Sequence, residues 1–150
     1  MALELDIRLE GERQIAKILD DIPAKANKLK RPFNETGDFI LRQTDTAFTS
    51  KGSNIQEAWP PRSPAYEARA TWPTLDRTGK MRGNFKKKAT NKSLKIENPT
   101  KYFKYHQSNK PRSKIPRRAM LKLTTPVARF LVKEVQKEFA DFLQKRVRTR

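Results

Sequence analysis

Leu3, Leu5, Ile7 and Leu9 alternate with Glu4, Asp6, Arg8 and Glu10, a period of two that predicts a half-buried strand ending at Gly11. From Glu12 the period changes. Ile15, Ile18, Leu19, Ile22, Ala26, Leu29 and Phe33 recur every three or four residues, the spacing of an amphipathic helix. Pro23 and Pro32 interrupt this stretch, which predicts a kink or two successive helices. The helical pattern resumes through Phe39, Ile40, Ala47 and Phe48 and closes at Gly52.

Residues 52–75 have no period. They hold four prolines (Pro60, Pro61, Pro64, Pro73) and the aromatics Trp59, Tyr66 and Trp72, a long loop with one short helix near residues 66–70. A loop of this length is usually functional or disordered. Thr78-Gly79 precedes a short helical stretch in which Met81 and Phe85 are four apart. Residues 93–97 read as a strand through Leu94 and Ile96, stopped by Asn98-Pro99. Tyr102, Phe103 and Tyr105 cluster beside His106, and residues 107–114 form a polar, basic loop. Residues 115–123 have a strand-like core at Met120, Leu121 and Leu123. Thr125 is a good N-cap and Pro126 suits the first helical turn. A last helix follows, with Val127, Phe130, Leu131, Val135, Phe139, Phe142 and Leu143 on one broad face, and the basic tail 145–150 is expected to fray.

This order predicts an α+β fold in a single domain spanning 1–150. A small antiparallel sheet packs against a long kinked N-terminal helix and a C-terminal helix, with a long Pro/Trp loop between them. Only 35% of residues are hydrophobic and 33% are charged, so the core is small for the length. Some apolar surface is then expected to be completed by a partner or by self-assembly. There is no cysteine, which excludes disulfides and thiolate metal sites. No apolar run approaches the roughly 20 residues that span a bilayer, and no secretory signal is readable at the N-terminus. The expectation is a soluble protein made in a cytoplasm, with no membrane partner.

Charge divides the chain. Residues 80–150 hold 22 of the 34 Lys+Arg but only 4 of the 16 Asp+Glu, so this segment carries the whole net charge of +18. Such asymmetry speaks to partners and not to the fold. The cations most suited to a shared electropositive surface are Lys86, Lys87, Lys88, Lys92, Arg117 and Arg118. They fit nucleic acid, which lysines meet as point charges and arginines in bidentate pairs. They fit an acidic protein neighbour equally well. No helix-turn-helix, zinc-finger or RNP pattern points to base readout.

Catalytic chemistry is hard to assemble. His106 is the single histidine, and its aromatic surroundings suit packing or a hydrogen bond. Asp20-Asp21 before Pro23 suits a helix cap better than a metal pair. No glycine-rich phosphate cradle is present. The reading is a non-enzyme without cofactor or metal. Trp59, Tyr66 and Trp72 are candidates for docking a partner, the alternative being that they cap the core.

Three patterns occur in order: Leu75-Asp76-Arg77-Thr78-Gly79-Lys80-Met81-Arg82 after the segment EAWPPRSPAYEARATWPT; Tyr102 to His106-Gln107; and Ile115-Pro116-Arg117-Arg118-Ala119-Met120-Leu121. Together they resemble the tailed-bacteriophage virion morphogenesis family, the tail-completion and neck proteins. Members carry a W-x-P-L/R loop, an L-x-x-T-G-x-L turn, a Y-A-x-x-H-Q-x-G segment and an I-P-x-R-x-F-L strand start. The resemblance spans most of residues 57–131. Met81 replaces the usual leucine, Ser108-Asn109 stands in place of the glycine after His-Gln, and Ala119-Met120 replaces a proline-phenylalanine pair.

The resemblance implies a structural virion protein with Thr78, Gly79, His106 and Pro116 in structural roles. It implies a homo-oligomeric ring, six-fold in expectation, at the head–tail junction or the head-proximal end of the tail. Its partners would be adjacent connector, terminator or tail-tube rings, with genomic DNA passing through a channel lined by the basic half. A non-specific nucleic-acid-binding protein is the alternative, and a small nuclease lacks the acidic or histidine cluster it would need.

Overall fold

A computed structural model describes residues 5–6, 28–110 and 114–148. Most of the expected first strand, the helical pattern of residues 12–27 with Pro23, and Asp20-Asp21 lie outside the described residues. Strand β1 is Leu5–Asp6 and helix α1 is Lys30–Ser50. The Phe33 N–H donates to the Leu29 carbonyl at 3.1 Å, so Pro32 falls in the first turn of α1. Its missing N–H forfeits no helical bond there. Pro32 therefore marks the start of a helix and does not bend the middle of one. At the other end Lys51 and Gly52 take left-handed conformations, with φ of 51° and 80°, and the Gly52 N–H donates to the Ala47 carbonyl at 2.9 Å. A Cβ on Gly52 would sit 2.2 Å from the Glu57 carbonyl oxygen and 2.6 Å from the Trp59 indole, so only glycine closes the helix in this way.

A 3-10 turn, Ser53–Ile55, leads into the proline-rich loop. Helices α2 (Pro64–Glu67) and α3 (Lys80–Gly83) are single turns. Strands β2 (Lys86–Ala89) and β3 (Leu94–Glu97) are joined by a turn in which the Thr90 N–H donates to the Ser93 carbonyl at 2.8 Å. The sheet order is β1-β3-β2. β1 pairs antiparallel with β3, with Leu5 opposite Ile96 and Asp6 opposite Lys95. Helix α4 is Phe103–Gln107 and helix α5 is Thr125–Arg148, which reaches into the basic tail. The described fold is α+β, with a small antiparallel sheet and two long helices, α1 and α5.

Two compact units divide these elements. The first holds Ile40–Lys86 and Glu97–Thr124. Its core gathers Ile40, Ala47, Phe48, Ile55, Trp59, Met81, Phe103 and the run Ala119, Met120, Leu121. An edge-to-face aromatic series runs through it, Trp59 to Phe48 to Phe85 to Phe103, with centroid separations of 5.6, 6.4 and 5.5 Å. Each such pair adds about 0.5–1.5 kcal/mol beyond area burial. The second unit holds the start of α1, Lys87–Ile96 and α5. There Phe39 and Phe130 stack at 4.6 Å, Leu94, Ile96, Val127 and Leu131 are buried, and Arg31 pairs with Glu138 at 2.6 Å. Gly37 lets the hairpin approach α1, since a Cβ there would meet Leu94 and Lys87 side chains at 3.0 Å each.

Lys86–Ala89, to which the sequence pattern assigns no element, forms strand β2, although a lysine run has neither the alternation nor the propensity of one. The tight turn to β3 recruits it. The strand expected within residues 115–123 is corrected: they form none. Gln107 replaces the missing ladder: its Oε1 accepts the N–H groups of Met120 and Leu121 at 3.0 and 3.1 Å, and its Nε2 donates to the Leu121 carbonyl at 2.6 Å. One buried amide thus satisfies three backbone groups of a buried segment. Gln107→Leu would leave all three unpaired, at about 1–3 kcal/mol each. The expected result is a loss of about 3 kcal/mol or more in urea unfolding. Gln107→Glu, which sets an oxygen against the Leu121 carbonyl, should not rescue it.

Candidate functional site

The loop after Trp59 is built outward from two anchors. The Trp59 indole Nε1–H donates to the Ala119 carbonyl at 2.7 Å and the residue is 7% exposed. Trp59 therefore belongs to the core, and its expected docking role is corrected. Arg118 is also 7% exposed: its Nε and Nη2 donate to the carbonyls of Pro60 and Pro61 at 2.9 and 3.0 Å. Burial, and then the charge of Arg62, lower its pKa, yet a guanidinium stays charged at any physiological pH. Beyond these anchors, residues 60–72 bury no apolar side chain. Within them Tyr66 is 46% exposed and meets Trp72 edge-on at 6.4 Å. Arg77 lies over the Trp72 ring at 4.5 Å and Arg62 over Tyr66 at 5.6 Å. The result is an aromatic pair, Tyr66 exposed and Trp72 half-buried, framed by two guanidinium groups.

The cations expected to form an electropositive surface differ in their surroundings. Arg117 pairs with Glu57, which also takes Lys122 at 2.9 Å. With Arg118 buried, both arginines serve the structure of the first unit. Lys87 pairs with Asp38 and donates to the Asn34 carbonyl at 3.1 Å. Lys86, Lys88 and Lys92 are exposed. Thr78 is exposed, and Gly79 takes φ of 69° as the cap of α3. A Cβ added to Gly79 would meet nothing within 4 Å, so backbone conformation alone asks for glycine. His106 sits in α4 and its carbonyl accepts the Arg118 N–H at 3.0 Å. Pro116 is exposed.

Sequence reasoning missed three positioning groups. Arg82 donates to Asp45 through Nε at 2.6 Å and Nη2 at 3.0 Å, and to Asp76 through Nη1 at 3.0 Å. These bonds raise the Arg82 pKa, first through Asp45 and then through Asp76, and the Arg82 hydrogen bond lowers that of Asp45. Asn98 is buried, donates to the Met81 carbonyl at 2.6 Å and accepts the Thr100 N–H at 3.0 Å. Gln107 is the third. Arg82 and Gln107 both stand inside the motif segments, but nothing in the linear pattern names their partners. Among the described residues no group of three or more His, Cys, Asp or Glu is placed to hold a metal, and no helix is long and apolar enough to cross a membrane.

A model of the phage virion morphogenesis family matches residues 11–147. The chain belongs to that family. Its loop, its α3 turn and the α4 clamp all lie inside the matched span. No curated protein and no solved structure matches the chain. Membership makes this a bacteriophage protein of virion morphogenesis, with a part in building the particle.

The Arg82 network sets a pH dependence. The folded-state pKa of Asp45 is depressed, so its contribution is present above the unfolded value of about 4 and is lost as pH falls through the folded value. The Asp45 side chain is 61% exposed, so solvent screening keeps the contribution below about 1 kcal/mol. Asp45→Asn should be slightly less stable than wild type at about pH 7 and indistinguishable from it at about pH 2.5, as read from urea midpoints at both values.

Proposed function

We propose that this member of the virion morphogenesis family is a structural subunit of a homo-oligomeric ring at the head–tail junction or the head-proximal end of the tail. The ring completes the tail and supports head–tail joining. The observation that carries the reading is the segment 60–72, ordered and without a buried apolar side chain, which displays Tyr66 and Trp72 between Arg62 and Arg77. An isolated chain gains little by holding an exposed tyrosine against a half-buried tryptophan outside its core. A neighbouring subunit or ring that covers them removes their apolar area from water. Aromatic and arginine side chains are also the types that anchor interfaces. In this reading the loop is the docking element, and the partners are copies of this chain and the adjacent connector, terminator or tail-tube rings. The exposed cations of the basic half face the DNA that passes through the junction.

Two measurements test this. Gold-labelled antibody against the protein should mark the head–tail junction of particles of the phage that encodes it; intact particles without label would overturn the reading. Tyr66→Ala/Trp72→Ala should keep a thermal midpoint close to wild type, because neither ring fills the core, yet reduce joined particles by about tenfold or more in complementation. Wild-type yields from that variant would remove the loop from assembly.

A further inference from the structure

The lysine run that looks uniform in sequence is split by the sheet. Lys87 and Leu94 both approach Gly37 of α1, so they share the inner face of the hairpin. Side chains alternate along a strand, and Lys86 and Lys88 therefore point to the opposite, outer face. Lys87 is neutralised by Asp38. Lys86 and Lys88 are exposed and form no ion pair among the described residues, although the Thr90–Ser93 closure of the hairpin sets Glu97 across from Lys86. Lys92, at the hairpin turn, is likewise exposed, and β2 is an edge of the described sheet. Lys95 stands opposite Asp6 in the ladder and is not counted.

We infer that the outer face of the β2–β3 hairpin, with Lys86, Lys88 and Lys92, is a sequence-independent binding face for the phosphate backbone of duplex DNA. Spacing favours this occupant. Residues two apart on a strand are separated by about 6.6–6.8 Å. One strand of B-DNA rises about 3.4 Å along the axis per phosphate while winding around it, which sets neighbouring phosphates about 7 Å apart, a similar length. Lys86 and Lys88 can each meet a phosphate of one strand, with Lys92 reaching further along it. Lysines make point contacts without base readout, so the grip is diffuse and salt-sensitive. The inference deepens the head–tail reading, which supplies the DNA, but the binding belongs to this face alone and is measured on the isolated chain.

The test is fluorescence anisotropy of a labelled mixed-sequence duplex titrated with the full-length protein across a salt series. Each phosphate contact contributes a slope of about 0.9 in log affinity against log salt, or about eightfold at 0.1 M. Lys86→Glu/Lys88→Glu/Lys92→Glu should lose more than about thirtyfold in affinity and about two to three units of slope. A control of equal charge change on exposed positions elsewhere, Lys101→Glu/Lys110→Glu/Lys114→Glu, should lose less than about fivefold. Lys87→Met should lower the thermal midpoint while keeping DNA affinity, since it breaks the Asp38 pair and leaves the outer face intact. Three results would overturn the inference: no binding by wild type, equal losses in the two triple variants, or competition by polyglutamate as effective as by unlabelled duplex, which would assign the face to an acidic protein. Retained DNA binding together with unlabelled particles would sink the head–tail reading and leave this face standing.

Discussion

The amide of Gln107 is the constraint on which the first unit depends. Residues 119–121 are buried but belong to no sheet, and a buried backbone without partners costs several kcal/mol. Gln107 meets that demand from one side chain, because an amide offers both an acceptor and donors. Once Met120 and Leu121 are fixed, the Ala119 carbonyl is aimed to receive the Trp59 indole. The preceding Arg118 is held by its own N–H to the His106 carbonyl, and its guanidinium grips Pro60 and Pro61. The root of the proline-rich loop is therefore tied down through one chain of hydrogen bonds. Its outer part is free to display Tyr66 and Trp72 with little backbone freedom left to lose on contact. That is preorganisation, and it lowers the entropic cost of association.

The same logic sorts the charges. A net charge of +18 implies strong self-repulsion, so how each cation is used matters more than the total. Arg31, Arg82, Arg117, Lys87 and Lys122 are each matched to a carboxylate. Arg118 is engaged by carbonyls. Arginine dominates these structural roles because a planar fork satisfies two acceptors at once. The cations left facing water on the hairpin are lysines, whose compact, hydrated heads suit reversible contact with phosphate. Within the three-lysine run the division between fixed and available charge follows strand alternation, which turns Lys87 toward Asp38 and leaves Lys86 and Lys88 exposed.

Much of the fold is legible in the sequence because it rests on local signals. The 3.6-residue period marks α1 and α5, the Gly52 closure follows from glycine's access to positive φ, and Leu94 with Ile96 marks β3. The misses share a cause. β2 exists because a turn delivers it to β3, which its own lysines do not announce. Residues 115–123 carry strand-like hydrophobicity, but their backbone is satisfied by a side chain from α4, a contact that no periodicity encodes. The site is legible by residue type and not by placement. The basic residues and loop aromatics are in view, but whether each points to core, carboxylate or water depends on long-range partners. Residue type alone misplaces Trp59 and Arg118 for that reason: both belong to types that serve core and interface alike.

The burial of Trp59 bears on the kind of assembly the chain suits. Had Trp59, Tyr66 and Trp72 all been exposed, the loop would present a broad apolar patch, a hazard for a free subunit. With Trp59 buried and Trp72 half-buried, Tyr66 is the one exposed ring of the three, and Tyr66 and Trp72 each lie under a guanidinium. A surface of that kind is soluble alone and becomes adhesive only when a partner displaces water from both ring and cation. Its net positive charge works in the same direction, since copies of the chain repel one another at long range until an anionic partner or a preformed template offsets the repulsion. Under the proposed ring reading, restrained self-association followed by docking on a neighbouring ring would favour ordered, stepwise building of the particle.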